Sequence, residues 1–104
     1  MEKPGKLDFT LIKKGFLSAT LPDGRKLTLL QPKWGLIKKL YALQKLDEEE
    51  QVMEMGDIMS AALSCNREKV LITSEDIDKT FDSQDIQHFM ENYVEFVKLA
   101  NSKN

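Results

Sequence analysis

The side chains best suited to chemistry in this chain of 104 residues are its single histidine, His88, and its single cysteine, Cys65. Asp85 and Glu91 lie three positions from His88, a helical spacing that would suit a pair of metal ligands or a general base. Metal binding needs at least one more ligand, which nothing in the sequence identifies, and Cys65 has no identifiable base partner. We therefore predict no catalytic residue, no metal site and no cofactor, with His88 on a solvated helix face and Cys65 as a small buried side chain.

Phosphate and calcium sites are also disfavoured by residue spacing. The five glycines are scattered along the chain, so none forms a phosphate-binding loop. The acidic run Asp47–Glu50 lacks the spaced oxygen ligands and the central glycine of a calcium loop, and it is instead typical of a helix start. An enzyme is therefore the function class that the sequence supports least.

A stripe of aromatic and basic residues is the strongest candidate for binding a partner. Trp34, Lys38, Tyr41 and Lys45 are spaced at i, i+4, i+7 and i+11 on a predicted helix, beside its apolar face. Aromatic rings supply contact area and long cations attract an acidic partner, so we interpret this aromatic–basic stripe as a protein-binding surface. The alternative is that Trp34 and Tyr41 close the edge of the hydrophobic core over a neighbouring hairpin.

That hairpin is predicted from alternating apolar residues. Strands are expected at Phe16–Leu21 and around Leu27–Leu30, joined by Pro22-Asp23-Gly24, whose residue types favour a tight turn. A further strand is predicted at Leu7–Leu11, and Pro32 ends the sheet because proline has no N–H to donate to it.

The remainder of the chain is predicted to be helical. Apolar spacing and N-cap residues indicate helices over 33–46, 47–64, 73–80 and 82–100. On the second helix the expected buried side comprises Val52, Met55, Gly56, Met59, Ala62 and Leu63. Glycine lowers helix propensity, so we expect a neighbouring helix to approach closely at Gly56.

These elements predict a single α+β domain spanning residues 1–104, with a β-hairpin region at 7–30 and a helical region at 33–101. The expected architecture is an N-terminal antiparallel hairpin, or a three-stranded meander, packed on a bundle of about four helices. No apolar run approaches the ~18 residues of a membrane helix, and residues 1–5 do not resemble a signal peptide. We therefore expect a cytoplasmic protein with no membrane partner.

Charge divides the chain into two halves. Residues 1–46 carry ten Lys and Arg against three Asp and Glu, a net charge of +7, whereas residues 47–104 carry five against fourteen, a net charge of −9. Either the halves fold against each other with weakly paired surface charges, or the basic surface of one copy docks on the acidic surface of the next in head-to-tail assembly. The acidic half and a pI of about 5.4 disfavour a dedicated nucleic-acid-binding protein.

The order of these elements resembles a known family. A basic hairpin at Phe16–Leu30, the junction Gln31-Pro32-Lys33-Trp34-Gly35, the helical segment Leu36–Leu40 and an acidic helical remainder are similar to the small tail assembly chaperones of long-tailed bacteriophages and prophages. The segment Ile72–Ile77 also resembles the start of a late helix in that family. The resemblance covers about Leu17 to Ala100.

This resemblance implies a non-enzymatic assembly factor in the bacterial cytoplasm. Such chaperones bind the tape measure protein, keep it soluble, recruit tail tube subunits and are absent from the finished virion. They also tend to self-associate, and some are made with a longer frameshifted form.

The competing hypothesis is a small phage or bacterial regulatory protein that binds nucleic acid or a host protein. In that case the phosphate-binding face would be formed by Lys13, Lys14, Arg25, Lys26, Lys33, Lys38 and Lys39.

Overall fold

The computed structural model describes residues 15–101 of the chain. In chain order the elements are β1 (Phe16–Thr20), β2 (Lys26–Leu30), α1 (Trp34–Ala42), α2 (Glu48–Ser64), α3 (Ser74–Thr80) and α4 (Ser83–Asn101). This confirms the predicted α+β fold, with one antiparallel hairpin followed by four helices. The predicted strand at Leu7–Leu11 lies outside the described residues, so a three-stranded meander stays a prediction.

The hairpin forms as predicted around the Pro22-Asp23-Gly24 turn. β1 and β2 pair in an antiparallel register in which Leu17 faces Leu29 and Ser18 faces Thr28. Gly24 has a φ of 95°, in the left-handed region that glycine occupies without steric cost. Its N–H donates to the Leu21 carbonyl at 2.8 Å, which closes the turn.

The other edge of β2 is covered by the turn that follows α2. The Thr28 N–H and hydroxyl both donate to the Glu68 carboxylate at 2.8 Å, and the Arg67 N–H donates to the Thr28 carbonyl at 2.9 Å. The Leu30 N–H donates to the Cys65 carbonyl at 2.9 Å. Because the Thr28 donors stabilise the charged carboxylate, the pKa of Glu68 is held below its ordinary value.

Capping boxes start two helices where the sequence predicts them. Asp47 accepts the Glu50 N–H at 2.8 Å, while the Asp47 N–H donates to the Glu50 carboxylate. Thr73 and Asp76 make the same reciprocal pair at the start of α3. These bonds satisfy backbone donors that have no partner inside the helix, so the acidic run Asp47–Glu50 is a helix terminus.

The α4 helix starts on an equivalent reciprocal pair. The Asp85 N–H donates to the Asp82 carboxylate at 2.9 Å, and the Asp82 N–H donates to the Asp85 carboxylate at 3.0 Å.

The first helix is shorter than predicted. It ends at Ala42 and continues as a 3₁₀ turn at Leu43–Lys45, instead of remaining α-helical to Leu46. The Gln51 side-chain amide donates to the Leu43 and Leu46 carbonyls at 3.1 and 3.2 Å. It thereby satisfies acceptors that the end of the helix leaves free.

The core lies where the hairpin meets the four helices, with α2 contacting α1, α3, α4 and β2. Its buried apolar residues are Leu21, Leu27, Leu29, Ile37, Leu40, Leu43, Ile58, Met59, Ala62, Leu63, Ile72, Ile77, Met90, Tyr93, Phe96 and Val97. On α2 the prediction is correct for Met59, Ala62 and Leu63 but wrong for Val52, whose residue is 66% exposed. Val52 lies on the exposed side of the first turns of α2, whereas Ile58 is buried in the core.

The expected close approach at Gly56 is also wrong. A Cβ placed on Gly56 would have no atom within 4 Å outside its own helix and chain neighbours. The glycine is therefore not required by packing at this position.

Two polar side chains are buried in the described part of the chain. Asn66, 7% exposed, donates to the Leu63 and Val70 carbonyls at 2.7 and 2.8 Å and accepts the Val70 N–H at 2.9 Å. Tyr93 is fully buried and stacks on Phe89 with ring centroids 5.1 Å apart, but its hydroxyl has no hydrogen-bond partner among the described residues. Burial, and to a smaller extent Cys65, raises the pKa of Tyr93.

Candidate protein-binding surface

His88 and Cys65, the residues first considered for chemistry, lie on different elements of the structure. His88 is exposed on α4, with the Asn92 amide donating to its backbone carbonyl at 2.8 Å. Cys65 is half-buried at the end of α2, and its thiol lies 3.7 Å from the Gln31 carbonyl. Over residues 15–101, no three His, Cys, Asp or Glu side chains are placed to hold a metal ion.

The aromatic–basic stripe lies on the surface of α1 and of the 3₁₀ turn that follows it. Trp34 is 68% exposed and Tyr41 is 46% exposed, and both Lys38 and Lys45 are exposed. Trp34 and Tyr41 therefore do not close the edge of the core. That function belongs to the adjacent face of the helix, where Ile37 and Leu40 are buried.

The cations of this surface have no anionic partner within the described chain. Residues 24–46 contain six Lys and Arg and no Asp or Glu. Among the described residues the ion pairs are Arg25–Asp23 at 2.9 Å and Lys79–Glu75 at 3.2 Å, and each joins residues of the same half. The two oppositely charged halves thus pack against each other without forming an ion pair between them in residues 15–101.

A groove between α1 and α2 lies beside the stripe. Its volume is about 340 Å³, and it is lined by Lys39, Ala42, Leu43, Leu46, Glu50, Met53 and Glu54. The apolar members come from both helices, and Met53 is 73% exposed. Sequence analysis missed this groove because it assigned only one buried face to each helix. The sequence signal that could have indicated the groove is the pair of consecutive apolar residues Val52 and Met53, whose side chains lie about 100° apart around a helix.

A second, larger groove of about 430 Å³ separates β1 from α4. Core residues Leu29, Met59 and Leu63 form part of its lining, and Phe81 and Phe89 add aromatic surface. Its polar lining side chains are Ser18, Thr20, Asp85, His88 and Asn92. No Lys or Arg of residues 15–101 lines it.

Comparison with protein-family models, curated proteins and solved structures finds no match to this chain. Among the described helices, none combines the length and apolar character needed to cross a membrane.

Proposed function

We propose that the chain is a non-enzymatic tail assembly chaperone of a long-tailed phage or prophage, which binds the tape measure protein and recruits tail tube subunits in the bacterial cytoplasm. The observation that supports protein binding is the exposed, unpaired aromatic–basic stripe on α1 and its continuation. The resemblance in element order suggests the client, and the exposure of Trp34 and Tyr41 supports docking at the stripe.

The stripe has the composition of a transient protein-binding site. Trp and Tyr are the residues most often dominant in binding energy, and the unpaired lysines favour rapid encounter with an acidic segment. The adjoining α1–α2 groove presents apolar floor residues between Lys39 on one wall and Glu50 and Glu54 on the other. Such a groove suits an amphipathic helix of the client, whose apolar side would face the floor.

The test is co-expression of the chain with the tape measure protein encoded beside it, followed by affinity capture and measurement of soluble client. The double variant Trp34→Ala/Tyr41→Ala is expected to weaken capture by about thirtyfold, because two central aromatic side chains contribute about 2 kcal/mol or more. Both side chains are exposed, so the free energy of unfolding should change by only about 0.5 kcal/mol.

The matched control removes two exposed apolar side chains elsewhere. Leu71 and Leu99 are 74% and 66% exposed, and Leu71→Ala/Leu99→Ala should leave capture unchanged. Equal loss in the two double variants would contradict the assignment of the stripe. A wild-type chain that captures neither tape measure nor tail tube protein would overturn the proposed function itself.

The regulatory alternative is supported by one observation: Lys33, Lys38 and Lys39, near the start of α1, are exposed and form no ion pair with the described residues. Arg25, another member of the suggested phosphate-binding face, is instead paired with Asp23. A gel shift at physiological salt separates the two functions. Submicromolar binding to DNA or RNA would favour the regulator and count against the chaperone.

A further inference from the structure

The outer edge of β1 presents backbone groups that have no partner in the described chain. On β2, the Thr28 and Leu30 N–H groups donate away from β1, to Glu68 and Cys65. In an antiparallel ladder, the backbone N–H and C=O groups of two opposite residues either bond to each other or both point away from the partner strand. Ser18 faces Thr28 and Thr20 faces Lys26, so the N–H and C=O groups of Ser18 and Thr20 lie on the outer edge.

The β1–α4 groove lies directly beside this edge. Residues 17–20 of β1 form one wall, and α4 contributes Asp85, His88, Phe89 and Asn92 to its lining. Its volume of about 430 Å³ falls in the range of pockets that hold a ligand, and most of the lining is apolar. An added strand would therefore place alternate side chains into an apolar groove while its backbone pairs with Ser18 and Thr20.

Charge restricts the composition of that strand. Among the described residues of the lining, Asp85 is the only acidic one, and none is a Lys or Arg that could neutralise it. One carboxylate oxygen of Asp85 accepts the Asp82 N–H, which leaves its other oxygen facing no described donor. A cation on the incoming segment would complement this carboxylate.

We propose that the outer edge of β1 and the β1–α4 groove bind an extended segment of a partner protein. The segment adds a strand to the hairpin, carries apolar side chains at alternate positions, and presents a lysine or arginine to Asp85. This site is separate from the aromatic–basic stripe, so its test does not depend on the proposed function.

The experiment uses a capped nine-residue peptide that alternates valine with threonine and carries lysine at both ends. Amide hydrogen exchange at Ser18 and Thr20 is measured by NMR in the full chain, with and without peptide. Both amides should exchange rapidly in the protein alone and become protected when the peptide binds. Protection of both amides in the protein alone would mean that the edge is already paired, and would overturn the proposal.

Two variants at one position isolate the backbone contribution. Ser18→Pro removes the outward N–H without removing a bond to β2, a change that edge strands accommodate. It should retain the fold and weaken peptide binding by about tenfold, since one hydrogen bond is lost and the ring obstructs the edge. Ser18→Ala keeps the N–H and should bind like wild type, so equal binding by both variants would overturn the proposal, as would a wild-type chain that does not bind the peptide.

The charge contribution is tested separately at Asp85. Asp85→Asn keeps an oxygen that accepts the Asp82 N–H but removes the negative charge. It should weaken binding of the lysine peptide by about threefold or more, while a peptide with serine in place of lysine binds both forms equally. An equal effect on the two peptides would contradict the predicted cation.

Discussion

Removing the hydroxyl of Tyr93 is expected to stabilise the protein. The ring is fully buried, stacks on Phe89 and lies 6.0 Å from the Phe96 ring centroid, yet the hydroxyl has no partner among the described residues. In the unfolded chain that hydroxyl is hydrogen-bonded to water. Folding therefore costs the free energy of removing it from water with no compensating bond.

The magnitude follows from two opposing contributions. Burying an unsatisfied hydroxyl costs about 1–3 kcal/mol. Tyr93→Phe removes that cost but leaves a space of about 15 Å³, which at roughly 24 cal/mol per Å³ costs about 0.4 kcal/mol. We therefore expect the free energy of unfolding to rise by about 0.6–2.6 kcal/mol, and Tm to rise by roughly 4–8 °C for each kcal/mol in a domain of this size.

Urea unfolding followed by far-ultraviolet circular dichroism gives the free energy, and thermal unfolding gives Tm. The chain contains two tyrosines, so Tyr41→Phe provides the same chemical change at an exposed position. That control should change the free energy of unfolding by less than about 0.5 kcal/mol. If Tyr93→Phe lowers the free energy of unfolding by about 1 kcal/mol or more while Tyr41→Phe leaves it unchanged, the Tyr93 hydroxyl is hydrogen-bonded and our reasoning is wrong.

Three further outcomes follow from the same structure. Burial raises the pKa of Tyr93, so above about pH 10 the hydroxyl ionises in the unfolded chain before it does in the folded protein. The free energy of unfolding of wild type, measured by urea titration, should therefore fall above about pH 10 by up to about 1.4 kcal/mol per pH unit relative to Tyr93→Phe. Gly56→Ala should raise the free energy of unfolding by about 0.5–1 kcal/mol, because the added methyl meets open space and helix propensity improves; destabilisation would indicate a contact at this site. Asn66→Ala should lower the free energy of unfolding by about 2–4 kcal/mol, because three hydrogen bonds are lost and backbone groups of Leu63 and Val70 are left without them. A change below about 1 kcal/mol would show that these bonds do not stabilise the turn.

Local chemistry made several elements predictable from sequence. The Pro22-Asp23-Gly24 turn and the start of α3 depend on residues close together in the chain, so their types alone indicate the structure. The end of α1 is different, because Gln51 from the next helix satisfies its last carbonyls. A bond formed across eight residues leaves no periodic pattern.

The candidate site was only partly predictable. Helical spacing placed Trp34 and Tyr41 beside the apolar face. That spacing was compatible with two arrangements, one in which the rings cover the edge of the core and one in which they face solvent. Only the packing of the other elements decides between these arrangements, as it does for the exposed Val52. The role of Asn66 carried no sequence signal, because its partners are backbone groups of Leu63 and Val70, which any residue type would supply.

The bonds that Glu68 and Arg67 make to Thr28 leave the hairpin with one open strand edge in residues 15–101. With the β2 edge occupied and only the β1 edge open in the described chain, two copies that met edge to edge would use both available edges and stop at a closed pair. Through the strand edges of residues 15–101 alone, sheet extension would therefore stop at this pair. We expect a homo-oligomer of more than two copies to need another surface, and head-to-tail contact between the oppositely charged halves stays the prediction for it.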